Sequence, residues 1–200
     1  MIGKWNKSVI LTYVGLSLSI LGIALIALKV ELKYAMICFI FAGVCDMFDG
    51  TVARRCKRTK EEKAFGIELD SLVDVFSFIA FPLVILASIN KTIYFLPIAI
   101  LYAIFGIARL AHFNTVTANL NKAVDYYEGL PVTFSAMILP LSYVLTYILK
   151  ENTFIILYNI ITLIIAILFI CKIKVPKPKL TTSLLLLLIA FVTTGIFLFV

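Results

Sequence analysis

Charge is scarce in this chain. Only 14% of its 200 residues are Asp, Glu, Lys or Arg, and the mean hydropathy is +1.09. That balance describes an integral membrane protein and leaves little room for a soluble domain. Cysteine is sparse too, and badly placed for chemistry. The four cysteines, Cys38, Cys45, Cys56 and Cys171, form no C-x-x-C pair. They make neither a zinc site nor a disulfide framework, and read as apolar helix residues plus one loop thiol. No A-x-A cleavage site follows the first apolar run, the 21 residues from Ser8 to Leu28, so it reads as an uncleaved spanning helix. Internal repeats and low-complexity segments are absent, and residues 1–200 read as a single domain.

Apolar sequence is what the chain has in abundance, at 62% of all residues. Runs of about 20 residues predict seven spanning helices, an all-α membrane bundle. They fall at about 8–28, 34–54, 66–88, 92–113, 131–149, 153–171 and 180–200, the last an extra C-terminal helix. In the second, only the twelve residues Tyr34 to Cys45 precede the first acid, too few to cross ~30 Å. The helix is therefore expected to continue through Asp46 and Asp49 to about Arg54. The third is expected to begin near Gly66, with Asp70 and Asp74 in its first turns and Pro82 as a candidate kink. Arg55–Lys63 then reads as a charged, solvated linker, and both acid pairs meet at one membrane face.

The net charge of +7 fits cytoplasmic loops and anionic headgroups better than nucleic acid in so apolar a chain. With the N-terminus inside, fourteen Lys and Arg fall on inner segments, among them Lys122 and the basic run Lys172–Lys179. Only Lys29, Lys33, Lys91 and Lys150 fall outside. The expectation is a multi-pass protein of the cell membrane, with its N-terminus and acidic cluster on the cytoplasmic side.

The acids themselves are the strongest signal. Asp46 and Asp49 are three apart, and Asp70 and Asp74 four apart, so each pair shares a helix face. Each carboxylate costs ~2.5–3.5 kcal/mol at mid-membrane, and like charges at that spacing repel. A pair of divalent metals held between them accounts for their presence. Gly50 and Ala53 leave room for a bulky ligand to approach the helix, and Arg54 adds a planar cation suited to phosphate.

This pattern, D-x2-D-G-x2-A-R…G-x3-D-x3-D, resembles the signature of the CDP-alcohol phosphatidyltransferases. Eleven residues separate Arg54 from Gly66, where that family usually has eight. The resemblance implies two cations, Mg²⁺ or Mn²⁺, on Asp46, Asp49, Asp70 and Asp74, with Asp74 also the general base. It implies CDP-diacylglycerol contacts from Thr12, Gly50, Ala53, Arg54, Thr59 and Gly66, and assembly as a homodimer. Thr12-Tyr-Val-Gly15 is similar to the T-x-x-G of the family's first helix, although Val9 stands where an Asn is usual.

A second group of residues lies at 106–133. Arg109 interrupts an apolar run and reads as a partner for phosphate or carboxylate. Gly129-Leu-Pro131 reads as helix punctuation. Ala108-Arg109-Leu-Ala-His112-Phe-Asn114, the Gly-Leu-Pro turn and Asp74-x-x-Ser77-Phe78 resemble the phosphatidylserine synthase branch of that family, with His112 in place of a second arginine. This implies L-serine as acceptor, with Arg109, His112, Asn114, Gly129 and Pro131 on the acceptor side. Glycerol 3-phosphate or an inositol phosphate is the alternative acceptor. A cation carrier using the intramembrane acids is the alternative from another class, which Arg54 beside the site disfavours.

Overall fold

The structure, a computed structural model, describes residues 3–119, 126–176 and 180–200. Lys122, Lys177 and Lys179, used above to orient the chain, lie outside the described residues. Among the described residues, six helices are long and apolar enough to cross a membrane. They are α1 (Ile10–Ala27), α2 (Leu32–Arg55), α3 (Lys60–Ile89), α4 (Leu96–Asn119), α6 (Glu151–Ile170) and α7 (Leu180–Phe199). Between α4 and α6 lies α5 (Ser135–Tyr143), shorter than the helix expected over 131–149. It carries 3₁₀ turns at both ends, and Pro140 in its interior removes one backbone donor.

As expected, α2 runs unbroken through both of its aspartates to Arg55. The start of α3 differs from expectation. It begins at Lys60, not Gly66, which reduces the solvated linker to residues 56–59. The cause is a capping box. The Thr59 hydroxyl accepts from Glu62 N–H at 3.2 Å, and Glu62 accepts from Thr59 N–H at 2.7 Å. Asp70 and Asp74 therefore sit roughly three and four turns into α3, not in its first turns.

Pro82 does not interrupt α3 sharply. Residues Phe76–Ala80 widen into a π turn just before it. Pro82 leaves the Phe78 carbonyl without its α-helical donor, and Tyr102 of α4 donates to that oxygen at 2.9 Å. Around this joint lies an aromatic core. Phe81 meets Phe39 edge-on at 5.1 Å, and Tyr102 meets Phe169 at 5.2 Å.

One feature falls outside the all-α expectation. Strands β1 (Tyr126–Glu128) and β2 (Lys174–Pro176) pair antiparallel, joining the loop after α4 to the loop after α6. Three residues per strand are too few to show a period-2 pattern, so neither strand is visible in the sequence.

Candidate active site

Residues 56–59 join α2 to α3, and the fold brings the two acid pairs together. One oxygen from each of Asp46, Asp49 and Asp70 lies within 4.8 Å of the others. Asp74, the fourth carboxylate, sits beside Asp46. Its Oδ1 is buried with no hydrogen-bond partner among the described residues. Like charges packed this tightly, with an orphaned acceptor among them, would be offset by a bound cation. Hard oxygen donors suit a hard divalent ion, so the donor set fits the family's metals.

Opposite the acids stands Arg109 of α4, only 7% exposed. Its guanidinium lies over the rings of Phe113 at 5.1 Å and Tyr127 at 5.8 Å. Its Nε, like Asp74 Oδ1, is buried without a partner among the described residues. Tyr127 arrives on β1, so the ribbon places an aromatic ring over the arginine. Burial raises the phenol's pKa against the opposing pull of Arg109, and the group stays a neutral donor.

These residues line a cavity of about 570 Å³ that follows α2 from Ile40 to Arg54. Fourteen residue steps along a helix amount to ~20 Å. The lining mixes two characters: four aspartates, Arg54, Arg109 and Asn114 are polar, and Ile40, Val44, Phe134, Met137 and Leu186 are apolar. Such a cleft suits an amphiphile with a phosphorylated head and an apolar body.

The sequence agrees with that geometry. It matches the family model for CDP-alcohol phosphatidyltransferase over residues 5–197. The chain belongs to the CDP-alcohol phosphatidyltransferase family. Among its relatives is the CDP-diacylglycerol–serine O-phosphatidyltransferase of Saccharomyces cerevisiae, 39% identical over 113 residues, which are 52% of this chain and 40% of that protein. The chain thus spans well under half the length of that relative. The Helicobacter pylori protein of the same name is 30% identical over 185 residues, 86% of this chain and 75% of its own length. The archaetidylserine synthase of Methanothermobacter thermautotrophicus is 29% identical over 155 residues, 76% and 62% of the respective chains.

The family signature is distributed unevenly over the cavity. Its four aspartates, Gly50 and Arg54 line the space, as do Arg109, Asn114 and Pro131. Arg54 is exposed and donates to Thr51 at 2.9 Å. Asn114 donates to Ser71 at 2.8 Å. Ala53, Thr59, Gly66, His112 and Gly129 do not line it. Thr59 spends its hydroxyl on the α3 cap, and Gly66 packs beside Arg58. His112 is more than half exposed and meets Glu128 at 3.2 Å. Gly129 is buried against the end of α6, with φ +75° and its N–H donating to Ile173 O at 2.9 Å. A Cβ there would collide with the Phe169 carbonyl, so the position requires glycine.

Thr12 reaches the site indirectly. Its hydroxyl donates to Asp49 Oδ2 at 3.2 Å. A second such contact went unread in the sequence: Thr133 donates to Asp46 Oδ2 at 2.8 Å. Its place two residues after Gly-Leu-Pro was visible, but nothing local tied it to an acid 87 positions away.

Proposed function

We propose that this chain transfers the phosphatidyl group of CDP-diacylglycerol to the hydroxyl of L-serine, yielding phosphatidylserine and CMP. The observation that carries the reading is the facing arrangement of four aspartates and buried Arg109 across one amphiphile-sized cavity. Serine is common to the names of the yeast, Helicobacter and archaeal relatives, whereas their lipid is not. The acceptor is therefore the firmer half of the assignment, and an ether-linked CDP-lipid is a second reading of the donor.

In this reading Asp46, Asp49, Asp70 and Asp74 would hold divalent cations, Mg²⁺ or Mn²⁺. When bound, the ions neutralise the diphosphate and stabilise charge on the departing CMP. Asp74 takes the proton of the serine hydroxyl as its oxygen attacks the lipid-bearing phosphorus. The bond from that phosphorus to the bridging oxygen breaks, and CMP leaves with the electron pair. Arg109 binds the serine carboxylate or the transferred phosphate, a role suited to a planar donor fork. Gly50 leaves space for the cytidine, and Arg54 contacts its phosphates. Residues 1–200 act as one catalytic unit, with the N-terminus and site facing the cytoplasm. A homodimer is the assembly implied by the family resemblance, and native mass spectrometry of the purified chain tests it.

The deciding experiment supplies purified protein with CDP-diacylglycerol, Mn²⁺ or Mg²⁺, and radiolabelled acceptors. Labelled phosphatidylserine with stoichiometric CMP is expected. A labelled product from glycerol 3-phosphate and none from serine would overturn the acceptor. Metal uptake into liposomes without CMP release would favour a carrier.

A further inference from the structure

We infer that Thr133 is a positioning residue for the metal site, orienting Asp46, and that the Gly129-Leu-Pro131 turn serves to deliver it there. The inference rests on the metal assignment proposed above. Thr133 Oγ1 donates to Asp46 Oδ2 at 2.8 Å, which fixes one carboxylate oxygen and leaves the other lone pairs available. Such outer partners set a ligand's orientation, and their loss weakens metal binding by roughly 10–100-fold.

The turn before Thr133 is anchored on three sides. Gly129 N–H donates to Ile173 O at 2.9 Å, in the loop after α6, and Leu130 N–H donates to Leu168 O at 3.0 Å, in the last turn of α6. Pro131 opens a 3₁₀ turn over Val132–Phe134, and Phe134 N–H closes back on Pro131 O at 3.1 Å. Ser135 adds a bond to Val132 O at 2.6 Å. A hydroxyl held on so constrained a backbone loses little entropy on meeting its carboxylate. Asp49 is served in parallel from another helix, through Thr12 at 3.2 Å. The two acids of α2 are thus each held by a threonine from a different neighbour.

The reading moves Gly129 from the acceptor pocket, where the resemblance put it, to support of the metal ligands. It also separates two kinds of defect. A threonine that touched the acceptor would change the KM for serine, whereas one that orients Asp46 changes metal affinity before any substrate is present.

Full-length protein in detergent, without substrates, is titrated with Mn²⁺ while free ion is followed by electron paramagnetic resonance. Thr133→Val is expected to raise the Mn²⁺ Kd roughly tenfold or more, and Thr133→Ser to stay within about threefold of wild type. Should Thr133→Val fail to fold, Thr133→Ala carries the same expectation. Wild-type Mn²⁺ affinity in the folded Val or Ala variant, with or without a higher KM for serine, would overturn the role of Thr133 and leave the metal site standing. Equal loss in the Ser variant would overturn it as well. Absence of Mn²⁺ binding by the wild-type chain would instead remove the metal assignment, and this inference with it.

Discussion

A β-carbon added to Gly43 would lie 2.6 Å from the β-carbon of Ala136. Gly43 is one turn before Asp46 on α2, and Ala136 follows Thr133 by three residues. The closeness of α2 and α5 at this pair is what lets a short threonine side chain reach the carboxylate. Across α2 the arrangement repeats, with Gly15 of α1 against Cys45 at a built Cβ distance of 3.3 Å, a turn from the Thr12–Asp49 bond. Small residues set the helix spacing, and the spacing sets how the two threonines meet their aspartates.

Gly43→Ala should therefore damage the site without replacing any of its carboxylates. Relieving the contact parts the helices by roughly 1 Å, at a typical overpacking cost of about 1–3 kcal/mol. The Thr133–Asp46 bond would stretch past hydrogen-bonding distance. Mn²⁺ affinity is expected to fall, and adding Ala136→Gly should restore it by moving the missing methyl to the other helix. Unchanged affinity in Gly43→Ala would show that this spacing does not govern the ligands.

Asp74→Asn should separate binding from chemistry. The amide keeps the shape but cannot take the serine proton, so kcat should fall by two or more orders of magnitude. CDP-diacylglycerol binding, measured by equilibrium dialysis, should change far less. A loss of binding as large as the loss of rate would contradict the base role.

Arg109→Lys keeps the charge and gives up the planar fork. With Phe113 and Tyr127 against the guanidinium, the smaller ammonium also loses its ring contacts. The expected cost is ~1.5–3 kcal/mol in transition-state binding, about tenfold or more in kcat/KM for serine. Normal serine kinetics in this variant would remove Arg109 from the acceptor side.

Orientation is checked with single cysteines in a cysteine-free background. Lys60→Cys should react with an impermeant thiol reagent only when the cytoplasmic face is accessible, and Lys150→Cys only from outside. The reverse pattern in intact cells would invert the topology.

The acid cluster was legible in the sequence because helical spacing is local. Asp46 and Asp49, or Asp70 and Asp74, share a face whatever surrounds them, and their cost in an apolar chain demands a partner. Arg109 was legible for the same reason, as a charge in an apolar run. The start of α3 was misplaced because Arg55–Lys63 was read for its charge. Thr59 and Glu62 carried the capping-box spacing, and that local signal decides where the helix begins. The roles of Gly129 and Thr133 were out of reach, since each depends on a contact with a distant segment that no local pattern encodes. The β ribbon was hidden likewise, because its two short strands matter only to each other.

That ribbon has a consequence for biogenesis. Tyr127 pairs with Val175, so the strand placing its ring over Arg109 has no partner until the whole of α6 has been made. At ~5–20 residues per second, the chain between them takes on the order of 2–10 s to synthesise. During that interval α1 to α4 already hold all four carboxylates and the arginine. The nascent protein carries its complete set of acids in a cleft that still lacks the residues of α5 and α7, and the Tyr127 strand finds its partner only when β2 emerges.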